Sequence, residues 1–204
     1  MKQDAWRQIQ AGVALINQSR LASWDPQTLR FSAANEQTFE AGHVHVDPKY
    51  GRLICWLVFA VGVEYLCRGV CAFKGLPVHD EKPKNVIRTP KPGEDLETWT
   101  ELVNQGMYGA PDVQDLTATT KNFMQVVEQV GQIKELGVDI QRTKASLRFL
   151  ASTIRNRDAH QYVQNVRGSS FLAVPELLVP SLNRLLEVVD PCTLSECAAG
   201  TKPE

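Results

Sequence analysis

Cysteine is scarce in this chain and poorly spaced for chemistry. Cys55, Cys67, Cys71, Cys192 and Cys197 are an odd number without a CxxC pair, which argues against both a disulfide framework and a zinc site. Cys67 and Cys71 lie four apart and can stack on one helix face, and free buried thiols in a reducing cytosol are the expectation. Net charge is nearly absent too, at −1. The protein is therefore not basic all over, and any nucleic-acid contact must come from a local patch. No apolar run approaches the roughly 20 residues of a spanning helix. The longest, Leu53 to Val63, is followed by Glu64 and Arg68 and reads as a buried core helix. A basic, apolar leader is missing, since Met1-Lys2-Gln3-Asp4 opens into a polar helical pattern, so a cytoplasmic location without membrane association is expected. The sequence also shows no internal repeat, no low-complexity tract and no clear β-alternation.

The remaining composition suits one packed core. A chain of 204 residues with 43% apolar and 22% charged residues is ordinary for a globular protein. The periodicity predicts an all-α helical bundle. Trp6, Ile9, Val13 and Ile16 recur at three- and four-residue steps over 2–21. Asp25-Pro26 reads as an N-cap and first-turn proline opening a second helix toward Glu40. Tyr50 to Lys74 is a long helix, apolar nearly all round, closed by Gly75 and Pro77. Pro77 to Glu94 is proline-rich and reads as a loop insertion, followed by a short helix around Leu96 to Gln105. Thr120 to Leu136 and Asp139 to about Arg155 form a helix pair broken at Gly137. A last helix from about Val174 to Val189 carries Leu178, Leu182, Leu185 and Val189 on one stripe, with Pro180 expected to bend it. The expected organisation is a single helical domain, 1–190, with the insertion at 77–94, and a flexible tail, 191–204.

The richest chemistry lies at the end of the sixth of these helices, in Thr153-Ile154-Arg155-Asn156-Arg157-Asp158-Ala159-His160-Gln161-Tyr162. Leu147, Leu150, Ala151 and Ile154 mark its inward face. Arg142, Lys144, Arg148, Arg155, Arg157 and Arg167 are answered by one carboxylate, Asp158, between 142 and 167. This is the concentrated positive patch of a near-neutral chain, although a solvated helix face has the same composition. Arg155 and His160 are five positions apart, about 140° around a continuous helix, so they converge only if the helix ends or tightens between them. Asn156 and Asp158 favour such an ending, because their side chains compete for local backbone hydrogen bonds.

These residues suit transesterification at an RNA phosphodiester. The attacking 2′-hydroxyl must lose a proton and the 5′-oxygen must gain one, and an imidazole titrating near neutrality serves either role. A guanidinium can bond two phosphate oxygens and stabilise the charge growing on them. The route calls for no metal or cofactor, and DNA, lacking the 2′-hydroxyl, is not a substrate for it.

An apolar helix leading into Arg-Asn-x-x-x-His-x-Tyr resembles the HEPN ribonuclease superfamily over about Leu147 to Val163. The resemblance implies a helical-bundle homodimer in which Arg155 and His160 of both protomers build one composite site, with Asn156 positioning the pair or the phosphate. Tyr162 makes the segment similar to HEPN toxins whose partner, a minimal nucleotidyltransferase (MNT) antitoxin, AMPylates that tyrosine. A tyrosine ring packed under the motif loop is the equal alternative. The family often has glycine after the histidine, where this chain has Gln161. The resemblance implies an endoribonuclease of toxin or antiphage type held in check by a partner. A catalytically inactive HEPN-like dimer that binds RNA or nucleotides, or serves in assembly, is the alternative.

Lys144, Arg148 and Arg157 are the candidate RNA contacts. Glu64 is a supporting candidate, because a carboxylate inside an apolar helix needs a partner. Arg68, one turn on, is the favoured partner, and orienting Arg155 or His160 is the sharper role. His43-x-His45 and His79-Asp80 lie in loop-like sequence and read as solvent-facing rather than metal-binding.

Overall fold

The computed structural model describes residues 2–34, 48–78, 95, 122–152, 174–192 and 194–195. The chain forms two compact units, 1–77 with 122–204 and, separately, 78–121. Of the second unit only Val78 and Asp95 belong to the described residues. The short helix expected around 96–105 and nearly all of the 77–94 insertion therefore lie outside them.

Among the described residues the structure is mostly helical, with five α-helices and one two-stranded hairpin. Helix α1 (Lys2–Gln18) presents Trp6, Ile9, Val13 and Ile16 as a buried stripe. Helix α2 (Pro48–Phe73) is buried on most of its circumference, including Trp56, Phe59, Val63, Leu66 and Val70. Its Ile54–Phe73 stretch is long and apolar enough to cross a membrane by length and composition, yet two-thirds of it is buried within the fold. The core helix of a folded domain has the same composition.

The two helices run antiparallel, with Ala5 and Ile9 against Gly69, and Ile16 against Gly62. Their separation is set by glycine. A Cβ on Gly12 would lie 2.6 Å from the Leu66 backbone nitrogen, and one on Gly69 would lie 2.7 Å from that of Ile9. No side chain fits between the two backbones there. At the end of α2, Gly75 takes φ +73° while its N–H donates to Ala72 O and that of Leu76 donates to Cys71 O. That pair of bonds is a Schellman cap, which favours glycine because of the left-handed turn.

The expected helix from Asp25 toward Glu40 is not present in the described residues up to 34. Strands β1 (Ala22–Asp25) and β2 (Arg30–Ala33) form an antiparallel hairpin, with Trp24 opposite Phe31 and ring centroids 5.0 Å apart. The Asp25 carboxylate accepts from Gln27 N at 2.9 Å and Thr28 Oγ1 at 2.8 Å. An aspartate before proline thus closes a turn here instead of capping a helix. The thiols of Cys55, Cys67 and Cys71 are buried in α2, and desolvation pushes that of Cys67 well above its ordinary range.

Helix α3 (Phe123–Val130) is shorter than the expected Thr120–Leu136. It starts on a capping box, with Asn122 Oδ1 accepting from Gln125 N at 2.9 Å and Gln125 Oε1 accepting from Asn122 N at 2.8 Å. A 3₁₀ segment, Lys134–Asp139, follows. The break at Gly137 is real, with φ 58° and ψ −129° inside that segment. Helix α4 (Ile140–Phe149) buries Thr143, Ser146 and Leu147, and its last described residues, Leu150 to Ser152, wind as a wider π-type turn.

Helix α5 (Val179–Leu186) is preceded by a π-helical turn, Val174–Leu178. Pro180 falls in the first turn of α5, directly after the π-helical turn. The expected bend is thus taken up as a change of helix type. Leu178, Leu182, Leu185 and Val189 are all buried, as their spacing requires. Asn183 on α5 joins the hairpin to the bundle. Its Oδ1 accepts from Phe31 N at 2.7 Å and its Nδ2 donates to Phe31 O at 2.9 Å, which is the bonding a third strand would supply.

Candidate nucleic-acid site

Arg155, Asn156, Arg157, His160 and Tyr162 lie outside the described residues, as do His43, His45, His79 and Asp80. The structure describes the helix that delivers the motif and the charges around its base. Inward, Leu147, Leu150 and Ala151 are fully buried, as the sequence pattern requires. Outward, α4 carries Arg148 and Lys144. Ser146 and Ser152 return their hydroxyls to the carbonyls of Arg142 and Arg148, at 2.9 and 2.7 Å. Such back-bonding loosens a helix, and the π-type turn at 150–152 coincides with it. The helix therefore departs from regular geometry at Leu150, five residues before Arg155.

The basic patch is less free than its sequence suggests. Glu128 on α3 bridges Lys144 Nζ and Arg148 Nη2, both at 2.5 Å, and also accepts from Arg148 Nε at 3.1 Å. Hydrogen bonds from Lys144 and then Arg148 hold the Glu128 carboxyl below its ordinary value. The counter-charge comes from another helix, so counting carboxylates between 142 and 167 could not reveal it. Arg148 is half exposed and retains open donors, whereas the Lys144 stem lies along Gly131, where an added Cβ would meet it at 3.2 Å.

Glu64 pairs with Arg68 inside α2, Oε1 to Nη2 at 2.6 Å and to Nε at 3.2 Å, with both side chains nearly buried. This is the favoured pairing, and it satisfies a carboxylate that would otherwise be costly in an apolar helix. Among the described residues no group of three or more histidine, cysteine or acidic side chains could hold a metal ion.

A second polar locus was not apparent in the sequence. Arg30, Arg142 and Arg184 meet Asp139 and Glu187 around a cavity of about 360 Å³ between the hairpin, α4 and α5. The three arginines come from three separate elements, and only Arg142 stood out as part of a basic run.

Comparison with known proteins adds no constraint, since no family model, curated protein or solved structure significantly matches the chain.

Proposed function

We propose that the chain is a HEPN-type, metal-independent endoribonuclease that acts as a homodimer and is held in check by a partner protein. The observation that carries this reading is Arg155-Asn156-x3-His160-x-Tyr162 at the end of a basic amphipathic helix. His160 serves as general base toward the 2′-hydroxyl or general acid toward the 5′-oxygen, and Arg155 neutralises the phosphorane charge, with Asn156 positioning it. Arg148 and Arg157 hold flanking phosphates, and Lys144 contributes to the field around them. Tyr162, two residues from His160, is the point at which a nucleotidyltransferase partner silences the enzyme by AMPylation.

The test uses purified protein and RNA in EDTA. Products with 2′,3′-cyclic phosphate ends are expected, and His160→Ala is expected to reduce cleavage at least a hundredfold. A requirement for Mg²⁺, or full activity in the variant, sinks the proposal.

A second reading is an inactive HEPN-like dimer for RNA binding or assembly, and the Glu128 bridge, which satisfies two cations of the patch without nucleic acid, favours its assembly form. A stable dimer that neither binds nor cleaves RNA selects assembly, and RNA binding without products, unchanged by His160→Ala, selects binding.

A further inference from the structure

The cavity between the hairpin, α4 and α5 is lined mainly by charged and polar side chains. Its volume of about 360 Å³ lies at the lower end of the roughly 300–1,000 Å³ typical of ligand pockets. Arg184 is fixed at its floor. Nη1 bonds Glu187 Oε2 at 2.7 Å, and Nη2 donates to the carbonyls of Glu135 and Leu136 at 3.2 and 3.4 Å. Its Nε lies 3.1 Å from Asp139 Oδ2 in an ion pair.

The rest of the lining asks for particular ligand chemistry. Three guanidiniums face two carboxylates, which leaves one positive charge in excess. Glu187 is shared by Arg184 and by Arg30, whose Nη2 sits 2.6 Å from Oε1. Arg142 carries the excess, since its one hydrogen bond among the described residues is from Nη2 to a backbone carbonyl, Glu176 O, at 3.1 Å. Four of its five N–H donors remain available. Thr143 and Ser181 are buried residues on the wall, and their hydroxyls make no hydrogen bond to another described residue. Asp139 and Glu187 retain open lone pairs, which accept from hydroxyl donors but repel anions.

We infer that this cavity binds a small hydroxylated anion. The anionic group, phosphate or carboxylate, lies at Arg142. The ligand hydroxyls are read by Asp139, Glu187, Thr143 and Ser181. A bare inorganic anion satisfies the arginine and leaves the carboxylates facing it, whereas a neutral sugar leaves the excess charge unmet. The site does not depend on the ribonuclease reading, since it involves none of Arg155, Asn156, His160 or Tyr162.

The test is calorimetric titration and thermal denaturation of the full chain with ribose 5-phosphate, gluconate, inorganic phosphate and ribose. At least one of the first two is expected to bind and to raise Tm. Inorganic phosphate and ribose are expected to bind at least about tenfold more weakly, the effect of losing one charge-assisted or buried hydrogen bond. Arg142→Ala, at an exposed side chain, is expected to lower affinity by about tenfold or more. Ser181→Ala is expected to weaken binding of the hydroxylated ligand while leaving inorganic phosphate unaffected. Failure of both hydroxylated anions to bind overturns the inference. So does equal binding of inorganic phosphate, or affinity that neither substitution changes.

Discussion

Two helix pairs in this molecule are held together by opposite means. Between α1 and α2 the side chains are removed. Gly12, Gly62 and Gly69 let the backbones approach until a single added carbon would fall within 3 Å of the opposing chain. Between α3 and α4 the buried layer of Val126, Val127 and Leu147 is closed at the surface by long charged side chains, Lys144 and Arg148 on Glu128. The first contact is rigid, because close-packed backbone has nowhere to relax. The second is adjustable, because exposed ion pairs contribute little and rearrange at little cost. The adjustable pair is the one that leads into the Arg155–Tyr162 segment, whose proposed role requires it to meet a polyanion.

The sharpest way to break the contrast is Gly12→Leu. Helix propensity alone favours the change by about 1 kcal/mol. Three backbone atoms within 2.9 Å of the new Cβ oppose it, and overpacking of that kind costs about 3 kcal/mol or more. Net destabilisation of about 2 kcal/mol or more is expected in urea denaturation, and an unchanged midpoint would show that the helices slide apart freely. Gly137→Ala tests the joint before α4. There is no steric neighbour within 4 Å, but φ 58° with ψ −129° suits glycine alone, so a loss of about 1–2 kcal/mol is expected from backbone strain.

The smallest effect belongs to Glu128→Gln, and pH reveals it. The folded carboxyl is held below its ordinary 4.5. Its stabilising contribution is therefore complete above that value and disappears as pH falls through the depressed folded value. Wild-type Tm is expected to exceed that of the variant slightly at pH 7, with the two curves merging in acid. A gap that persists at pH 3 would mean that Glu128 acts through packing rather than charge.

The long elements were legible because one physical signal dominated each. Continuous apolar character placed α2 at 50–74 against the observed 48–73, and the stripe through Leu178, Leu182, Leu185 and Val189 identified the buried face of the last helix. Gly75 and Gly137 were readable because positive φ is a local demand. The hairpin was not. Asp25-Pro26 is compatible with both a helix start and a tight turn, and the choice is made by Asn183, distant in sequence, on the Phe31 backbone. The glycines at 12, 62 and 69 carried a signal that went unused, since a glycine inside a helical pattern usually has a packing reason. The arginine-lined cavity was hidden for the same reason as the hairpin. Arg30, Arg142 and Arg184 become neighbours only after β2, α4 and α5 have packed. Of the candidate site, Glu64 met its expected partner, Lys144 and Arg148 acquired one from α3, and the motif itself lies outside the described residues.

The bond between Phe31 and Asn183 also imposes an order in time. The two residues are 152 positions apart, and a ribosome adding about 5–20 residues per second needs roughly 8–30 seconds to go from one to the other. Through that interval β2 exists without the amide that satisfies its outer edge. A lone two-stranded hairpin is at best marginally stable. The β1–β2 hairpin therefore awaits α5, which leaves the ribosome well after it and completes its outer edge.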